Sequence, residues 1–155
     1  VFQKMTGTTP AAWSDPARGA ELAKTMFDSG ADIVYAAAGS TGLGVLQSAA
    51  DNGKMSIGVD SNQNHLYPGS VLTSMLKRVD VAAYNVFKSA QNGTWKSGVK
   101  TLGLEENGVG WALDEHNAKL VSSKMKSKVE QVRKGIISGS IKVHDYMSDN
   151  KCPAQ

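Results

Sequence analysis

The stretch Ala31-Asp-Ile-Val-Tyr-Ala-Ala-Ala-Gly-Ser-Thr-Gly-Leu-Gly-Val-Leu-Gln-Ser-Ala-Ala50, continued by Met55-Ser-Ile-Gly-Val-Asp60, decides the fold of this chain. The uncharged run 33–38 predicts a strand covered on both faces, and the glycines after it predict a sharp turn into a helix. Asn52-Gly53 predicts the end of that helix. Asp60 closes a second strand, at the edge where open parallel sheets place ligand contacts.

Helices and strands are predicted to alternate along the rest of the chain. Ser14-Asp15-Pro16 is typical of a helix start, and Ser29-Gly30 of its end. Apolar spacing predicts two further helices, over 79–90 and 115–138, the latter closed by Gly139 and followed by a loose tail. Further strands are predicted at 1–5, 71–76, 99–104, 108–113 and 141–143. This order favours an α/β fold with parallel strands.

Composition excludes several classes of protein. The 155 residues, with 41% hydrophobic and 20% charged residues, are typical of one globular domain. The formal net charge of +3 is too small for a nucleic-acid-binding protein, and no segment has the apolar length of a transmembrane helix. A single cysteine, Cys152, cannot form an intramolecular disulfide. The start at Val1, inside a predicted strand, suggests a mature or cut chain.

A binding cleft for a carbohydrate or a nucleoside is the first functional hypothesis. Trp13, the glycine turn, Asp60 and Lys77 all lie at expected strand ends or helix starts. A carboxylate beside a lysine can hold vicinal hydroxyls, an aromatic ring can stack on a base or sugar, and backbone amides at the Gly42 helix start can donate. His65, His116 and His144 lack ligand spacing, so neither a metal site nor a catalytic residue is predicted.

An oxidoreductase that uses a nicotinamide dinucleotide is the alternative. The turn Gly39-Ser-Thr-Gly-Leu-Gly44 joins a strand to a helix, and Asp60 follows about 20 residues later, as a ribose-binding carboxylate would. Tyr84 and Lys88 have the Tyr-x-x-x-Lys spacing of short-chain dehydrogenases. However, in that family far more sequence separates the glycine turn from the tyrosine.

Several ordered motifs together resemble the basic membrane protein family, the solute-binding lipoproteins of ABC transporters that are similar to purine nucleoside receptors. The resemblance runs from about Thr8 to Val143. It is carried by Trp13-Ser-Asp-Pro-Ala-x-Gly, Gly30-Ala-Asp-Ile-Val-Tyr, Ala37-Ala-Gly-Ser-Thr-Gly-Leu-Gly-Val, Ile57-Gly-Val-Asp-Ser-Asn-Gln, Val71-Leu-Thr-Ser-Met-Leu-Lys-Arg-Val-Asp80, Gly108-Val-Gly-Trp-Ala and Ile136-Ile-Ser-Gly-Ser-Ile-Lys-Val143.

The resemblance implies a type I periplasmic-binding-protein fold, with two Rossmann-like α/β lobes that close on a ligand. It implies a non-catalytic, extracytoplasmic protein without cofactor that binds a purine nucleoside and delivers it to an ABC permease. Asp60 and Lys77 match the ribose-holding positions, Gly39 and Ser40 the turn that lines the cleft, and Trp13 an aromatic position. A sugar or autoinducer receptor on the same fold remains a further alternative.

The chain departs from the family in its length, because members of the family are about twice as long. The resemblance therefore implies that the amino-terminal half is missing, together with any lipid anchor to a membrane. Residues 1–76 would form the carboxy-terminal lobe core, 77–97 a crossover and a helix packing on the amino-terminal lobe, and 98–155 return strands, a long helix and a tail. We expect the missing half to be a partner, because helix 79–90 would otherwise expose an apolar stripe.

Overall fold

The computed structural model describes residues 9–151, which divide into two units with the boundary between Ser122 and Ser123. The first unit contains a 3₁₀ turn, three helices and four strands. In chain order they are the turn Pro10–Trp13, α1 Pro16–Asp28, β1 Ile33–Tyr35, α2 Thr41–Asp51, β2 Met55–Gly58, β3 Val71–Lys77, α3 Val79–Gln91 and β4 Val109–Trp111. The second unit contains α4 Ser123–Ile137 and the short α5 Tyr146–Asp149.

One mixed, mostly parallel sheet organises the first unit. Its strand order is β1-β2-β3-β4, with β1, β2 and β3 parallel and β4 antiparallel to β3. Helices α1 and α2 cover the sheet and form the hydrophobic core with it, through Ala23, Phe27, Val34, Ala36, Val45 and Ala49. The predicted α/β class is confirmed.

Glycine lets α1 and α2 approach closely. A Cβ at Gly44 would collide with the carbonyl oxygen of Pro16, and one at Gly19 would collide with the carbonyl oxygen of Thr41. The two helices thus meet backbone to backbone, which no larger residue allows at these positions. Gly44, the last glycine of the turn that suggested a dinucleotide-binding protein, has a packing role here.

The predicted start of α1 is confirmed in detail. The Asp15 carboxylate accepts a hydrogen bond from the Arg18 backbone amide at 2.9 Å, and Pro16 occupies the first helical position. This capping satisfies an amide that would lack a partner inside the helix. Helices α2 and α3 and strands β2, β3 and β4 also lie where the sequence predicts them, within a few residues.

The prediction that strand 33–38 is covered on both faces is wrong. Val34 is buried, but Ile33 and Tyr35 are 45% and 52% exposed. The reason is position, because β1 is the outer strand of the described sheet and helices cover one face of it. The strand also ends early, since the Ala38 amide turns back to donate to the Ala36 carbonyl.

Two predicted strands are absent among the described residues. The segment 99–104 is not a strand, and the Gly108 amide closes a turn on the Gly103 carbonyl at 2.8 Å. In the second unit, 141–143 is not a strand, because the Ile141 amide donates to the Gly135 carbonyl and continues the end of α4. The predicted strand at 1–5 lies outside the described residues.

The long helix begins at Ser123 rather than at residue 115, and it ends before Gly139 as predicted. Asp114 and Asn117 organise the preceding residues into turns, with the Ala118 amide donating to the Asp114 carbonyl at 2.9 Å. These local hydrogen bonds compete with a helix, which is a common property of Asp and Asn. The tail predicted to be loose contains α5, capped by the Asp145 side chain.

Candidate functional site

The carboxyl ends of the three parallel strands bring four of the five predicted site residues to one edge of the sheet. The turn with Gly39 and Ser40 follows β1, Asp60 follows β2, and Lys77 ends β3. Parallel strands place successive carboxyl ends side by side, which is why such edges bind ligands in α/β proteins. The fifth residue, Trp13, reaches this edge through contacts with the turn.

Asp60 and Lys77 form the centre of the candidate site. The Lys77 ammonium lies 3.0 Å from Asp60 Oδ1, and the Lys77 backbone amide donates to the Asp60 carbonyl at 2.9 Å. Asp60 has a left-handed backbone, with φ of 70°, which turns the chain sharply at the end of the strand. The side chains of Asp60 and Lys77 are 49% and 60% exposed, so their oxygens and ammonium remain accessible to a ligand.

An open depression of about 440 Å³ lies against this pair. Its wall is completed by Arg78 and Asp80, whose side chains form a forked ion pair with nitrogen–oxygen distances of 2.8 and 2.9 Å. The hydrogen bond from Arg78 lowers the pKa of Asp80 to about 2, and the same contact raises the pKa of Arg78. The full lining is Asp60, Ser61, Asn62, Leu76, Lys77, Arg78, Val79 and Asp80.

Trp13, Gly39 and Ser40 form a second cluster at this edge. The Ser40 hydroxyl donates to the Trp13 carbonyl at 2.8 Å, and the Trp13 indole is 60% exposed. Gly39 has φ of 56°, and a Cβ there would lie 3.0 Å from the Trp13 carbonyl oxygen, so glycine suits both the turn and the contact. The turn thus holds the tryptophan in place with its ring available.

One predicted contribution is corrected. The Gly42 amide was expected to donate to a ligand, but the helix begins at Thr41 and this amide donates to the Gly39 carbonyl at 3.0 Å. The Ser40 hydroxyl is likewise engaged with Trp13. In this structure the side chain of Ser40 and the amide of Gly42 therefore shape the turn.

A polar network beneath Asp60 was not anticipated from the sequence. Asp114, in the loop after β4, accepts hydrogen bonds from the side-chain amides of Asn62 at 2.6 Å and Asn64 at 3.0 Å. The bond from Asn62 is the main cause of a lowered pKa for Asp114, against the opposing effect of desolvation. The only signal in the sequence was the polar loop 61–70, because Asp114 lies 50 residues after Asn64.

Two of the three histidines, His65 and His116, lie closer together than their spacing in the sequence suggests. The rings of His65 and His116 are 6.4 Å apart, and His116 adjoins the carboxylates of Asp114 and Glu115. Asp114 is already engaged, since its other oxygen accepts from the His116 amide at 2.8 Å. This geometry makes Asp114 an organiser of the loop, and no metal role follows from it.

The features that suggested a dehydrogenase take other places in the fold. Gly44 packs on α1, and Tyr84 lies 61% exposed on α3 with the Lys88 ammonium 5.6 Å from its ring centre. That distance is typical of a cation–π contact on a helix surface. Among residues 9–151, no helix has the length and apolar character needed to cross a membrane.

Comparison with known proteins gives a consistent result. The model of the Bmp family, described as ABC transporter substrate-binding protein PnrA-like, matches residues 6–146. Basic membrane protein D of Borreliella burgdorferi (strain JD1) is 36% identical over 147 residues, which are 92% of this chain and 42% of that protein. An uncharacterized lipoprotein of Pyrococcus horikoshii is 40% identical over 121 residues, covering 74% of this chain and 29% of the relative.

Solved structures confirm the predicted fold. A solute-binding protein of an ABC transporter system from Aeropyrum pernix K1 superposes with a TM-score of 0.69 at 30% identity, over 84% of this chain and 45% of that one. A transcriptional activator of the comK gene from Bacillus halodurans, at 21% identity and a TM-score of 0.72, shares the fold alone. The architecture is that of the type I periplasmic-binding proteins, and the chain spans less than half the length of these relatives.

Proposed function

The chain belongs to the Bmp family of PnrA-like ABC transporter substrate-binding proteins, and from this premise we propose that it is the carboxy-terminal part of an extracytoplasmic receptor for nucleosides, most specifically purine nucleosides. The observation that carries the proposal is the Asp60–Lys77 pair, 3.0 Å apart at the carboxyl ends of adjacent parallel strands. The bound nucleoside would be handed to an ABC permease.

The Asp60–Lys77 pair suits the vicinal hydroxyls of a ribose. An ionised carboxylate accepts hydrogen bonds from two hydroxyls, while an ammonium donates to the same oxygens. Both side chains are about half exposed, and a ligand that covers them would strengthen these hydrogen bonds by excluding water. The exposed indole of Trp13 offers a flat face for stacking on the base.

The charge balance of the depression supports a neutral ligand. Its lining contains two carboxylates, Asp60 and Asp80, and two cations, Lys77 and Arg78, each paired within the site. A phosphate would need a surplus of positive charge or forked arginine donors, and the Arg78 fork is already occupied by Asp80. A nucleoside therefore fits this lining better than a nucleotide does.

In this proposal the receptor binds its ligand without catalysing a reaction and without a cofactor. The family premise disfavours the nicotinamide-dependent alternative. The relatives named as lipoproteins support an extracytoplasmic location, with a lipid anchor or the periplasm retaining the protein near its permease.

A second lobe completes the cleft in the whole protein. Helix α3 has no buried residue, and Val79, Tyr84 and Phe87 are 62%, 61% and 75% exposed. An apolar surface of this kind is usually covered by a partner. We assign 77–97 to the crossover and to the helix that packs on an amino-terminal lobe, which the greater length of the relatives supports.

The decisive experiment measures ligand binding to the full-length protein. Isothermal titration with adenosine, guanosine, ribose and a nicotinamide dinucleotide separates the hypotheses. Saturable binding of a nucleoside, with measurably weaker binding of its 2′,3′-dideoxy counterpart, supports the proposal. Binding of ribose or another free sugar without any nucleoside would replace it with the sugar-receptor alternative, and binding of the dinucleotide with turnover would overturn it.

A further inference from the structure

The loop 59–64 carries Asp60, and hydrogen bonds within the loop and to residues outside it set its conformation. Within the loop, the Val59 amide donates to Gln63 Oε1 at 2.9 Å, and the Ser61 amide donates to the Val59 carbonyl at 2.9 Å. These contacts curl the chain tightly around Asp60, whose left-handed backbone has φ of 70°. Residues beyond the loop then decide where the curled segment sits.

Asp114 supplies the connection between this loop and the end of β4. One of its carboxylate oxygens, Oδ2, accepts from both Asn62 and Asn64, at 2.6 and 3.0 Å. Asn64 is fully buried, and its side-chain oxygen Oδ1 accepts a hydrogen bond from the Ser74 hydroxyl at 2.8 Å. The Ser74 hydroxyl in turn accepts from the Gln63 amide at 3.0 Å.

The far side of Asp114 is anchored as firmly. Its Oδ1 accepts from the His116 amide at 2.8 Å, and its own amide donates to Asn117 Oδ1 at 2.9 Å. Asn117 is fully buried and donates to the carbonyls of Leu72 and Ala112 at 2.9 and 3.0 Å. A continuous hydrogen-bonded chain therefore links β3 and β4 to the loop that carries Asp60.

We propose that Asp114 is the positioning residue of the nucleoside site, setting the place of the Asp60 carboxylate through Asn62 and Asn64. The inference rests on the proposed function in its choice of ligand. The clamp, by which we mean the hydrogen bonds from Asn62 and Asn64 to the Asp114 carboxylate, is defined by contacts within the chain. Asp114 acts through the loop, because it is not among the residues that line the depression.

The clamp requires a carboxylate rather than a side chain of similar shape. All three groups that point at Asp114 are donors, namely two side-chain amides on Oδ2 and one backbone amide on Oδ1. An asparagine has a donor NH₂ in place of one oxygen, so either orientation of its amide would oppose a donor to a donor. Asp114→Asn thus removes the clamp with almost no change in volume.

The test compares Asp114→Asn with the wild-type full-length protein, and Glu115→Gln is the matched control. Glu115 is the neighbouring acid, with a side chain 82% exposed whose carboxylate lies 3.7 Å from His116 Nε2. Two readouts are measured for each protein. One is the ratio of the affinity for a nucleoside to that for its 2′,3′-dideoxy counterpart. The other is hydrogen exchange of the Lys77 amide, which bonds to the Asp60 carbonyl.

Asp114→Asn is expected to lower the affinity ratio at least tenfold, and to speed exchange of the Lys77 amide at least tenfold while amides of α2 exchange at the wild-type rate. Glu115→Gln is expected to leave both unchanged. An equal loss of affinity for both ligands, or unchanged Lys77 exchange in a folded variant, would refute the positioning role. If Asp114→Asn does not fold, Asn62→Ala decides by the same two readouts. It removes an exposed side chain, its 2.6 Å bond to Asp114 and the 3.0 Å bond that its Oδ1 accepts from the Asn64 backbone amide.

Failure of the proposed function has a different signature. In that case the wild-type protein binds neither nucleoside, whereas the exchange of the Lys77 amide still reports on the clamp. A wild-type protein that binds the nucleoside, combined with wild-type ratios and exchange in Asp114→Asn, refutes the clamp and leaves the proposed function standing.

Discussion

Substitutions at Asp60 would separate the backbone geometry of the site from its chemistry. The left-handed backbone of Asp60, with φ of 70°, is tolerated by Asp, Asn and Gly but strained for residues such as Ala. Its ion pair with Lys77 is about half exposed, and such pairs contribute at most about 1 kcal/mol to stability. We therefore expect Asp60→Asn and Asp60→Gly to fold normally, and Asp60→Ala to be less stable than Asp60→Gly by about 1 kcal/mol.

The same three variants should all bind the nucleoside more weakly than the wild-type protein. A hydrogen bond to a charged group contributes about 1.5–3 kcal/mol, and about 1.4 kcal/mol corresponds to a tenfold change in affinity. Loss of the carboxylate should thus weaken nucleoside binding at least tenfold in Asp60→Asn, Asp60→Gly and Asp60→Ala. The three variants should therefore lose similar amounts of affinity, although Asp60→Ala is less stable than the other two.

Two measurements on the full-length protein test this reasoning, namely urea unfolding without ligand and isothermal titration with the nucleoside. Lys77→Met is an informative companion, since it removes the ammonium and keeps the aliphatic stem. Wild-type affinity in Asp60→Asn would refute the assignment of the ribose to this carboxylate. Equal stability of Asp60→Ala and Asp60→Gly would refute the argument from the left-handed backbone.

Three further predictions concern packing, the second lobe and pH. Gly44→Ala should lower the free energy of unfolding by about 1–3 kcal/mol, measured by urea unfolding, because its methyl group would collide with the Pro16 carbonyl. Phe87→Ser should destabilise the full-length protein by more than about 2 kcal/mol if a second lobe covers Phe87, but the 155-residue chain by less than about 0.5 kcal/mol. NMR titration should give Asp80 a pKa of about 2, returning toward 3.8 in Arg78→Gln.

The sign of the pH effect follows from the lowered pKa. Because Asp80 is more acidic when folded, its ion pair with Arg78 contributes to stability above the unfolded pKa of 3.8, and this contribution is lost as the pH falls toward about 2. A pKa near 3.8 for Asp80 in the wild-type protein would contradict the forked ion pair between Asp80 and Arg78.

Controls are available for the other two predictions. Gly110→Ala is matched to Gly44→Ala, since a Cβ at Gly110 meets nothing within 4 Å and should cost little. Equal destabilisation by both glycine substitutions would argue against the close helix contact. Equal effects of Phe87→Ser in the full-length protein and in the 155-residue chain would argue against a covering lobe.

Local signals predicted the elements whose residues all lie close together in sequence. The cap at Asp15, the glycine turn before α2 and the apolar spacing of α3 depend on neighbours within a few positions, and the structure has each of them. The strand predicted at 99–104 failed because apolar content alone does not supply a ladder partner. The helix predicted from 115 failed because Asp114 and Asn117 bond to nearby backbone groups instead.

The sequence by itself determined the fold class, the family resemblance and the edge of the sheet at which Asp60 and Lys77 stand, since these depend on periodicity, turn residues and motif order. Only the tertiary structure decided that Gly44 packs against Pro16, that β1 is covered on one face, and that Asp114 holds the loop beneath Asp60. The physical reason is distance along the chain. Hydrogen bonds and close contacts between residues tens of positions apart leave no periodic trace in sequence, and they exist only once the strands have been brought side by side.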